Sequence, residues 1–181
     1  MIFIAEVKTK SPFGFESQYS FDDLFDIAKH HGDWVSVHTD PRWGGSFENI
    51  QKARAETSKP ILAKGFHITD HHIATCLGYG ADYVLVVGRI PAKEYLLNTI
   101  VEPITFEQFV LFSRQNIPYM LWNQRNVLTG NRKEETFSEA REYYDKWLGQ
   151  GSFIKRKSDI NPTADSFIVG ENLVEFVKQY P

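Results

Sequence analysis

Residues 4–12 read Ile4-Ala-Glu-Val-Lys-Thr-Lys-Ser-Pro12, a short apolar run that ends in charged residues. Glu6 and Lys8 are two positions apart, so on a β-strand their side chains point to one face, while Ala5 and Val7 point to the other. Burying charge is unfavourable unless the charges are paired. The segment therefore predicts a first strand with a helix-covered apolar face and a functional Glu6–Lys8 pair on its inner face. The alternative is an edge strand with solvated charges.

Similar apolar runs recur along the chain and alternate with amphipathic segments. They are three to five residues long and begin at Phe3, Trp34, Pro60, Tyr83, Tyr119, Ser152 and Phe167. Helical stretches with capping-box spacing follow Ser20, Thr105 and Thr136. Runs of this length are typical of strands buried on both faces. The alternation predicts one α/β domain over residues 1–181, with a mostly parallel sheet.

Polar residues end nearly every apolar run. They are Lys8, His38 with Asp40, Lys64, Arg89, Asn123, Lys155, and Glu171 with Asn172. In parallel α/β folds the ligand site lies at the carboxyl ends of the strands, and in a closed barrel all these ends converge on one mouth. Periodicity alone does not choose between an open sheet and a barrel. A barrel would gather these groups into one site.

A second informative strand end lies in residues 60–70, which read Pro-Ile-Leu-Ala-Lys-Gly-Phe-His-Ile-Thr-Asp. Lys64 ends the apolar run and is followed by Gly65. A lysine that is partly desolvated and near other cations can have a lowered pKa and act as a general acid. The alternative is an ordinary surface lysine at a strand end.

Composition indicates a single globular domain and excludes several classes of protein. The 181 residues, 42% hydrophobic and 24% charged, are enough for one core and unlike a disordered chain. A net charge of -3, with residues 155–157 as the largest basic cluster, argues against nucleic-acid binding. The single cysteine excludes an internal disulfide, and no apolar run approaches the ~20 residues that span a bilayer. With no signal-peptide pattern, we expect a soluble cytoplasmic protein without membrane partners.

The histidine pairs and the cysteine do not predict reactive sites. His30-His31 and His71-His72 are adjacent on helical segments, so the two rings of each pair do not face one another. No ligand follows either pair at the four-residue spacing of a helical metal site. Cys76 lies on an apolar helical stripe and is expected to be a small core residue. We therefore expect no metal.

Four segments, in order, resemble signatures of the indole-3-glycerol phosphate synthase family. Glu6-Val-Lys-Thr-Lys-Ser-Pro is similar to the family's E-x-K-x-x-S-P, and Lys64-Gly-Phe to its K-D-F strand end. Between them, Val35-Ser-Val-His-Thr-Asp and then Trp43-Gly-Gly-Ser resemble S-V-L-T-D and F-G-G-S. Gly80-Ala-Asp-Tyr-Val-Leu-Val-Val resembles G-A-D-x-V-L-L-I. The resemblance is close from residue 2 to about residue 90.

The resemblance implies a TIM-type (β/α)₈ barrel and a lyase of tryptophan biosynthesis. Such an enzyme closes the indole ring of an anilino-deoxyribulose phosphate and releases carbon dioxide and water, without a metal or cofactor. By this resemblance Lys64 would be the general acid on the substrate carbonyl, Lys8 would hold the carboxylate or phosphate, and Glu6 would orient these lysines and bind substrate. Ser11 would contact the phosphate. Trp43 and Phe66 would pack on the aromatic ring.

The carboxyl-terminal half departs from the family pattern. The family's N-terminal helical extension has no counterpart before residue 2, and the remainder is about one βα unit short, so we expect a shortened barrel. Residues 118–128 align in two ways. As strand 5, they place Leu121 where the family has its general-base glutamate. As strand 6, resembling G-I-N-N-R-D-L, they supply Asn123 and Arg125 as substrate-binding groups, and strand 5 is missing. We prefer the second alignment, and in both the base is absent.

The last two strands differ from each other in how well they match. Lys157-Ser-Asp-Ile replaces the family's E-S-G-I at strand 7, whereas Ser166-Phe-Ile-Val-Gly-Glu-Asn-Leu is similar to A-x-L-V-G-E-x-L. Phosphate sites in barrels commonly follow strands 7 and 8. We therefore expect Ser158 and Gly170 to contact phosphate, with Lys155 and Lys157 adding positive charge.

Three functions fit these patterns. The first is an active indole-3-glycerol phosphate synthase in which another carboxylate, Glu6 being the best candidate, replaces the missing base. The second is a phosphate-binding barrel relative with lost or altered catalysis, since barrels host many reactions. The third is a scaffold whose seven strands do not close and whose open edges pair in a homodimer.

Overall fold

Residues 1–179 are described by a computed structural model, in which eight parallel strands alternate with helices. The strands β1 to β8 are Ile2–Val7, Trp34–His38, Ile61–Lys64, Tyr83–Val87, Thr99–Glu102, Tyr119–Asn123, Trp147–Gly151 and Ser166–Val169. The helices α1 to α6 are Phe21–His31, Glu48–Glu56, Asp70–Gly78, Phe106–Ser113, Phe137–Tyr143 and Leu173–Gln179. Short 3₁₀ helices cover Pro41–Trp43, Lys93–Asn98 and Lys157–Asp159.

The strands close into a barrel in simple sequence order. Each strand pairs with the next, and β8 returns to β1, with Ile4 opposite Ile168. The predicted TIM-type barrel is therefore confirmed. The prediction that strand 5 is missing is wrong, because Thr99–Glu102 pairs with both β4 and β6. What β4 and β5 lack is a connecting α-helix, since only the 3₁₀ helix Lys93–Asn98 lies between them.

Residues 118–128 supply β6, as the preferred alignment predicts, but the strand expected to begin at Ser152 is displaced. β7 is Trp147–Gly151, and its two glycines make the segment resemble a turn in the sequence. A side chain at Gly149 would come within 2.7 Å of the Ser166 hydroxyl on the neighbouring β8, so the position has no room for one. Gly149 thus reflects close packing inside the barrel.

The outer faces of the strands pack against the helices. Ala5 and Val7 are buried in the same cluster as Leu24 and Phe25 of α1, as the alternation in β1 predicts. Ser20 caps α1 through its reciprocal bonds with Asp23, and Thr136 caps α5 in the same way. The third expected capping box, at Thr105, is only half formed. The Thr105 hydroxyl accepts from the amide of Gln108, but the Gln108 side chain accepts from the amide of Ile104 and not from that of Thr105.

The inner faces of the strands form a separate core within the barrel. Its buried members are Ile4, Leu62, Leu85, Val87, Ile100, Leu121 and Ile168. Beneath them, four strands begin with an aromatic residue, and these rings close the amino-terminal end of the barrel. Trp34 stacks on Tyr83 with 4.5 Å between ring centroids, and Tyr119 lies edge-on to Tyr83 and Trp147 at 5.9 and 5.7 Å. The charged residues of the barrel interior lie above this core, at the carboxyl-terminal mouth.

The closed barrel also bears on the expected homodimer. Among residues 1–179, every strand has a neighbour on both sides, so the argument from an open sheet edge no longer applies. Dimerisation stays a prediction.

No helix within residues 1–179 is long and apolar enough to cross a bilayer.

The aromatic closure predicts a large contribution of Trp34 to stability. We expect Trp34→Ala to lower the free energy of unfolding by about 2–3 kcal/mol, because it removes two stacked contacts and opens a cavity at the barrel floor. Urea unfolding followed by circular dichroism measures this. Leu111→Ala is the control: Leu111 is 58% exposed, and its loss should change stability by less than about 0.5 kcal/mol. Equal effects of the two substitutions would contradict the assignment.

Candidate active site

Glu6 is the centre of the polar cluster at the barrel mouth. Its Oε1 accepts hydrogen bonds from Lys64 Nζ at 2.6 Å and from His38 Nε2 at 2.8 Å. The Glu6 side chain also packs against Gly170, where any Cβ would overlap the carboxylate. Glu6 and Lys8 both face the barrel interior, as predicted, but the ion-pair partner of Lys8 is Glu171 and not Glu6. Glu6 thus joins the ends of β1, β2 and β3, and Gly170 is required for its position.

The three groups of this cluster fix one another's protonation. Burial alone would raise the pKa of Glu6, but Lys64, His38 and Lys8 outweigh it and hold that pKa well below 4.5. Burial would lower the pKa of Lys64, but Glu6, Glu102 and Glu171 raise it above 10.5. The expectation of a lowered lysine pKa is therefore wrong, because carboxylates rather than cations surround it.

His38 completes the cluster as a neutral donor. Burial lowers its pKa, and the bond to Glu6 only partly offsets that effect. A carboxylate oxygen can only accept here, so His38 carries its proton on Nε2 and donates it to Glu6. At neutral pH the cluster therefore consists of an ammonium, a carboxylate and a neutral imidazole.

A second carboxylate, Glu102, ends β5 and lines the same mouth. It is 1% exposed, and its Oε1 accepts from Asn123 Nδ2 at 2.8 Å. Burial raises the pKa of Glu102, against the lowering effects of Lys64, Lys133 and Asn123. Sequence reasoning missed this residue, and its conclusion that no strand-5 glutamate exists is wrong. The available signal was Thr99-Ile-Val-Glu, a short apolar run ending in a polar residue like the others.

A third carboxylate, Glu171, binds two cations at the ends of β1 and β6. Its Oε1 accepts from Lys8 Nζ at 2.8 Å and from Arg125 at 3.1 Å, and its Oε2 accepts a second bond from Arg125 at 3.1 Å. The Arg125 guanidinium also lies over the ring of Phe153, 4.8 Å from its centroid. Lys8 and Arg125 are both largely buried and converge on one point.

Aromatic side chains form one wall of the mouth. Trp43 and Phe66 meet with 5.7 Å between ring centroids, and Phe13 lies edge-on to Trp43 at 6.3 Å. The His38 ring is parallel to the Trp43 ring, with 6.1 Å between the centroids. The wall is suited to hold a planar aromatic group beside the charged cluster.

A buried histidine that sequence reasoning also missed supports the segment after Lys64. His67 Nδ1 donates to the carbonyl oxygen of Leu85 at 2.6 Å, and its Nε2 lies 2.9 Å from Thr39 Oγ1 and 3.3 Å from Cys76 Sγ. Burial lowers the pKa of His67 to about 4, so the ring is neutral. The backbone amide of Thr39 in turn donates to the carbonyl oxygen of Lys64 at 2.8 Å. These bonds fix the backbone that carries the lysine.

Most of the residues predicted for the site come together. The mouth is lined by Glu6, Lys8, Trp43, Lys64, Phe66, Asn123, Arg125 and Gly170, together with Lys155, Glu171 and Asn172. Two of the strand-end residues do not line it: Asp40 binds Arg42, and Arg89 binds Asp70. Cys76 is buried on α3, as predicted.

The two predicted serines lie outside the mouth. Ser11 is buried, and its hydroxyl oxygen accepts from the amide of Phe13 at 3.3 Å. Ser158 is exposed on the 3₁₀ helix Lys157–Asp159, after β7 has ended. Matching Lys157-Ser-Asp-Ile to the seventh strand is therefore wrong, and Gly151 is the residue by which β7 lines the mouth. Within residues 1–179, no group of three or more His, Cys, Asp or Glu side chains is arranged to hold a metal ion.

Comparison with known proteins gives consistent matches to one family. The sequence model described as indole-3-glycerol phosphate synthase matches residues 1–104. The synthase of Sulfurisphaera tokodaii is 27% identical over 191 aligned residues, which cover 95% of this chain and 78% of that protein. Those of Campylobacter curvus and Staphylococcus haemolyticus are 36% and 34% identical over about half of this chain. These last two alignments span 37% of each relative's length.

Glu6 and Glu102 should affect stability in opposite directions at neutral pH. Folding raises the pKa of Glu102 above 4.5, so its ionisation destabilises the fold as pH rises through that folded-state pKa. Glu102→Gln should therefore be more stable than the parent at pH 7.5, with the difference vanishing below about pH 4.5. Glu6 has a lowered pKa, so its stabilisation is complete above 4.5 and is lost as pH falls through the folded-state pKa.

Glu6→Gln should accordingly destabilise the protein at pH 7.5. Urea unfolding at pH 4 and 7.5 compares the two variants with the parent. Shifts of the same sign in both variants at pH 7.5 would contradict the opposed electrostatic environments of the two carboxylates.

Proposed function

Because the chain belongs to the indole-3-glycerol phosphate synthase family, we propose that it closes the indole ring of an anilino-deoxyribulose phosphate, releasing carbon dioxide and water. The observation that carries this proposal is that a protonated lysine, Lys64, and a buried carboxylate of raised pKa, Glu102, line the same barrel mouth. Ring closure needs a proton donor, and the later loss of water needs a proton acceptor. The two groups have environments that set them apart as acid and base.

In the first step, Lys64 donates a proton to the carbonyl oxygen of the sugar chain. The aromatic carbon that bears the carboxylate attacks the carbonyl carbon, and the carbonyl oxygen becomes a hydroxyl. The carbon–carboxylate bond then breaks, carbon dioxide leaves, and its electron pair restores the aromatic ring. The Lys64 ammonium is protonated at neutral pH and can donate, although its raised pKa makes it a weaker acid than an exposed lysine. Glu6 holds the ammonium at 2.6 Å and so orients it.

In the second step, the new hydroxyl leaves as water. Glu102 accepts a proton from the ring being formed, and Lys64, reprotonated from solvent, protonates the departing hydroxyl. The bond from Asn123 supports the role of Glu102, since it fixes one carboxylate oxygen and leaves the other to accept a proton. Because the pKa of Glu102 is raised toward neutral pH, its carboxylate is a stronger base than that of an exposed glutamate.

Substrate binding uses the rest of the mouth. The aromatic ring packs against Trp43 and Phe66, and the anionic groups bind near Lys8 and Arg125. The segments after β7 and β8, which include Gly170, line the mouth and carry the phosphate, in the position that barrels commonly use. An anion between Lys8 and Arg125 requires Glu171 to move aside, because its carboxylate accepts bonds from both cations.

Glu102 also favours this function over a barrel relative that has lost its chemistry. The argument for lost catalysis rests on a missing strand-5 glutamate and a replaced strand-7 glutamate, and the first of these is removed by β5 and its terminal Glu102. The replacement of the missing base by Glu6 is likewise unnecessary, because Glu6 has a strongly lowered pKa and is bound to Lys64. We therefore keep ring closure as the proposed function, in the cytoplasm and on a phosphorylated small molecule.

Loss of either proposed proton-transfer group should reduce turnover strongly. We expect Lys64→Met and Glu102→Gln each to lower kcat/KM by about 10²–10⁴-fold, the usual contribution of general acid–base catalysis. The assay incubates each protein with the anilino-deoxyribulose phosphate and follows the fluorescence of the indole product. Ser158→Ala, at an exposed position outside the mouth, should match the parent. The proposal fails if the parent forms no product, or if Lys64→Met is as active as the parent.

A further inference from the structure

A partly buried lysine, Lys133, lies behind the proposed base, outside the substrate pocket. Lys133 belongs to the loop between β6 and α5 and does not line the mouth. Its Nζ donates to the carbonyl oxygen of Pro103 at 3.1 Å, and Pro103 directly follows Glu102. The same ammonium lies over the Trp122 ring, 4.2 Å from its centroid, and Trp122 precedes Asn123. Lys133 therefore contacts the residues next to Glu102 and next to its hydrogen-bond donor.

The backbone around Lys133 is tightly fixed. Its amide donates to the carbonyl oxygen of Gln124 at 2.8 Å, and the Gln124 side chain donates back to the carbonyl oxygens of Lys133 and Glu135, each at 2.7 Å. The indole N–H of Trp122 also donates to the Glu135 carbonyl at 3.3 Å. A loop anchored in this way holds the ammonium at a constant place relative to β5 and β6.

The Lys133 ammonium is not neutralised by a direct ion pair. Within residues 1–179, no carboxylate oxygen lies within 4 Å of its Nζ. Burial lowers the pKa of Lys133, and the more distant Glu102 and Glu135 raise it. A cation bound to a carbonyl oxygen and an aromatic ring keeps its charge, and its partial burial reduces the screening of that charge by solvent.

We propose that Lys133 is a positioning residue for the base of ring closure: its ammonium acts on the Glu102 carboxylate from outside the pocket and favours the ionised form. This inference rests on the proposed role of Glu102. The charged and polar groups that face Glu102 are Lys64 from β3, Lys133 from the β6–α5 loop, Asn123 from β6 and Glu6 from β1. Lys64 and Asn123 lie in the pocket and serve the reaction itself, so Lys133 is the group that tunes the base independently of substrate.

The test is a titration of Glu102 that needs no turnover. Protein labelled with ¹³C at the glutamate carboxyl carbons is titrated by NMR, and the Glu102 resonance is identified by its absence in Glu102→Gln. In Lys133→Met, the midpoint of Glu102 should rise by about 0.5–1 pH unit relative to the parent, because a charge that lowers its pKa is lost. Lys133→Arg keeps the charge and should restore the parent midpoint.

A matched control and a second variant separate charge from structure. Lys146→Met removes an exposed lysine that binds Asn116, away from the mouth, and should leave the Glu102 midpoint unchanged. If Lys133→Met does not fold by circular dichroism, Lys133→Gln replaces it. An unchanged midpoint in the folded Lys133 variant, or an equal rise in Lys133→Arg, overturns the inference.

The kinetic consequence distinguishes this inference from the proposed function. The acid limb of the pH profile of kcat/KM requires ionised Glu102, so this limb should move to higher pH in Lys133→Met. Below the midpoint, kcat/KM should fall by about 3- to 10-fold. A parent that forms no indole product would refute ring closure, while the NMR titration would still decide the action of Lys133 on Glu102. A parent that turns over, with a midpoint indifferent to Lys133, would refute the inference alone.

Discussion

The buried ion pair between Glu6 and Lys64 is the interaction on which the rest of the barrel mouth depends. Two charges in the interior are tolerated only when they are paired and their remaining bonding capacity is used. Here the 2.6 Å contact, the donor His38 and the glycine at position 170 provide that pairing. The pair joins β1 and β3 across β2, which are consecutive strands of the sheet. The return of β8 to β1 then brings Gly170 beside Glu6, so closure of the barrel completes the surroundings of the pair.

Three carboxylates at the mouth, Glu6, Glu102 and Glu171, differ in pKa direction or in ion pairing because their surroundings differ. Glu6 is held ionised by Lys64 and His38, whereas burial dominates at Glu102 and raises its pKa. Glu171 instead binds two cations at the wall of the mouth. A lysine kept protonated and a second carboxylate of raised pKa in the same mouth give the site one proton donor and one proton acceptor. This division of roles follows from burial and charge, not from the identity of the side chains.

Much of the barrel could be predicted from sequence, because strand alternation and strand-end polar residues are local signals. The inward Glu6 and the polar end of β3 are examples, as is the assignment of residues 118–128 to β6. β5 is missed because it follows a 3₁₀ helix, so no helical period marks its start. β7 was displaced because Gly149 and Gly151 are inward positions that resemble a turn. Ion-pair partners and the pKa direction of Lys64 depend on contacts between distant strands, which local patterns do not specify.

We propose above all that Lys64 is the acid and Glu102 the base of one ring closure. The most direct test is a crystal structure of the complex with a substrate analogue whose carbonyl is reduced to an alcohol. The account predicts Lys64 Nζ within about 3 Å of the alcohol oxygen, and a Glu102 carboxylate oxygen within about 3 Å of the carbon or nitrogen that loses its proton. An analogue bound in the mouth with either group out of hydrogen-bond reach, or with Glu6 in the place of Glu102, would contradict it.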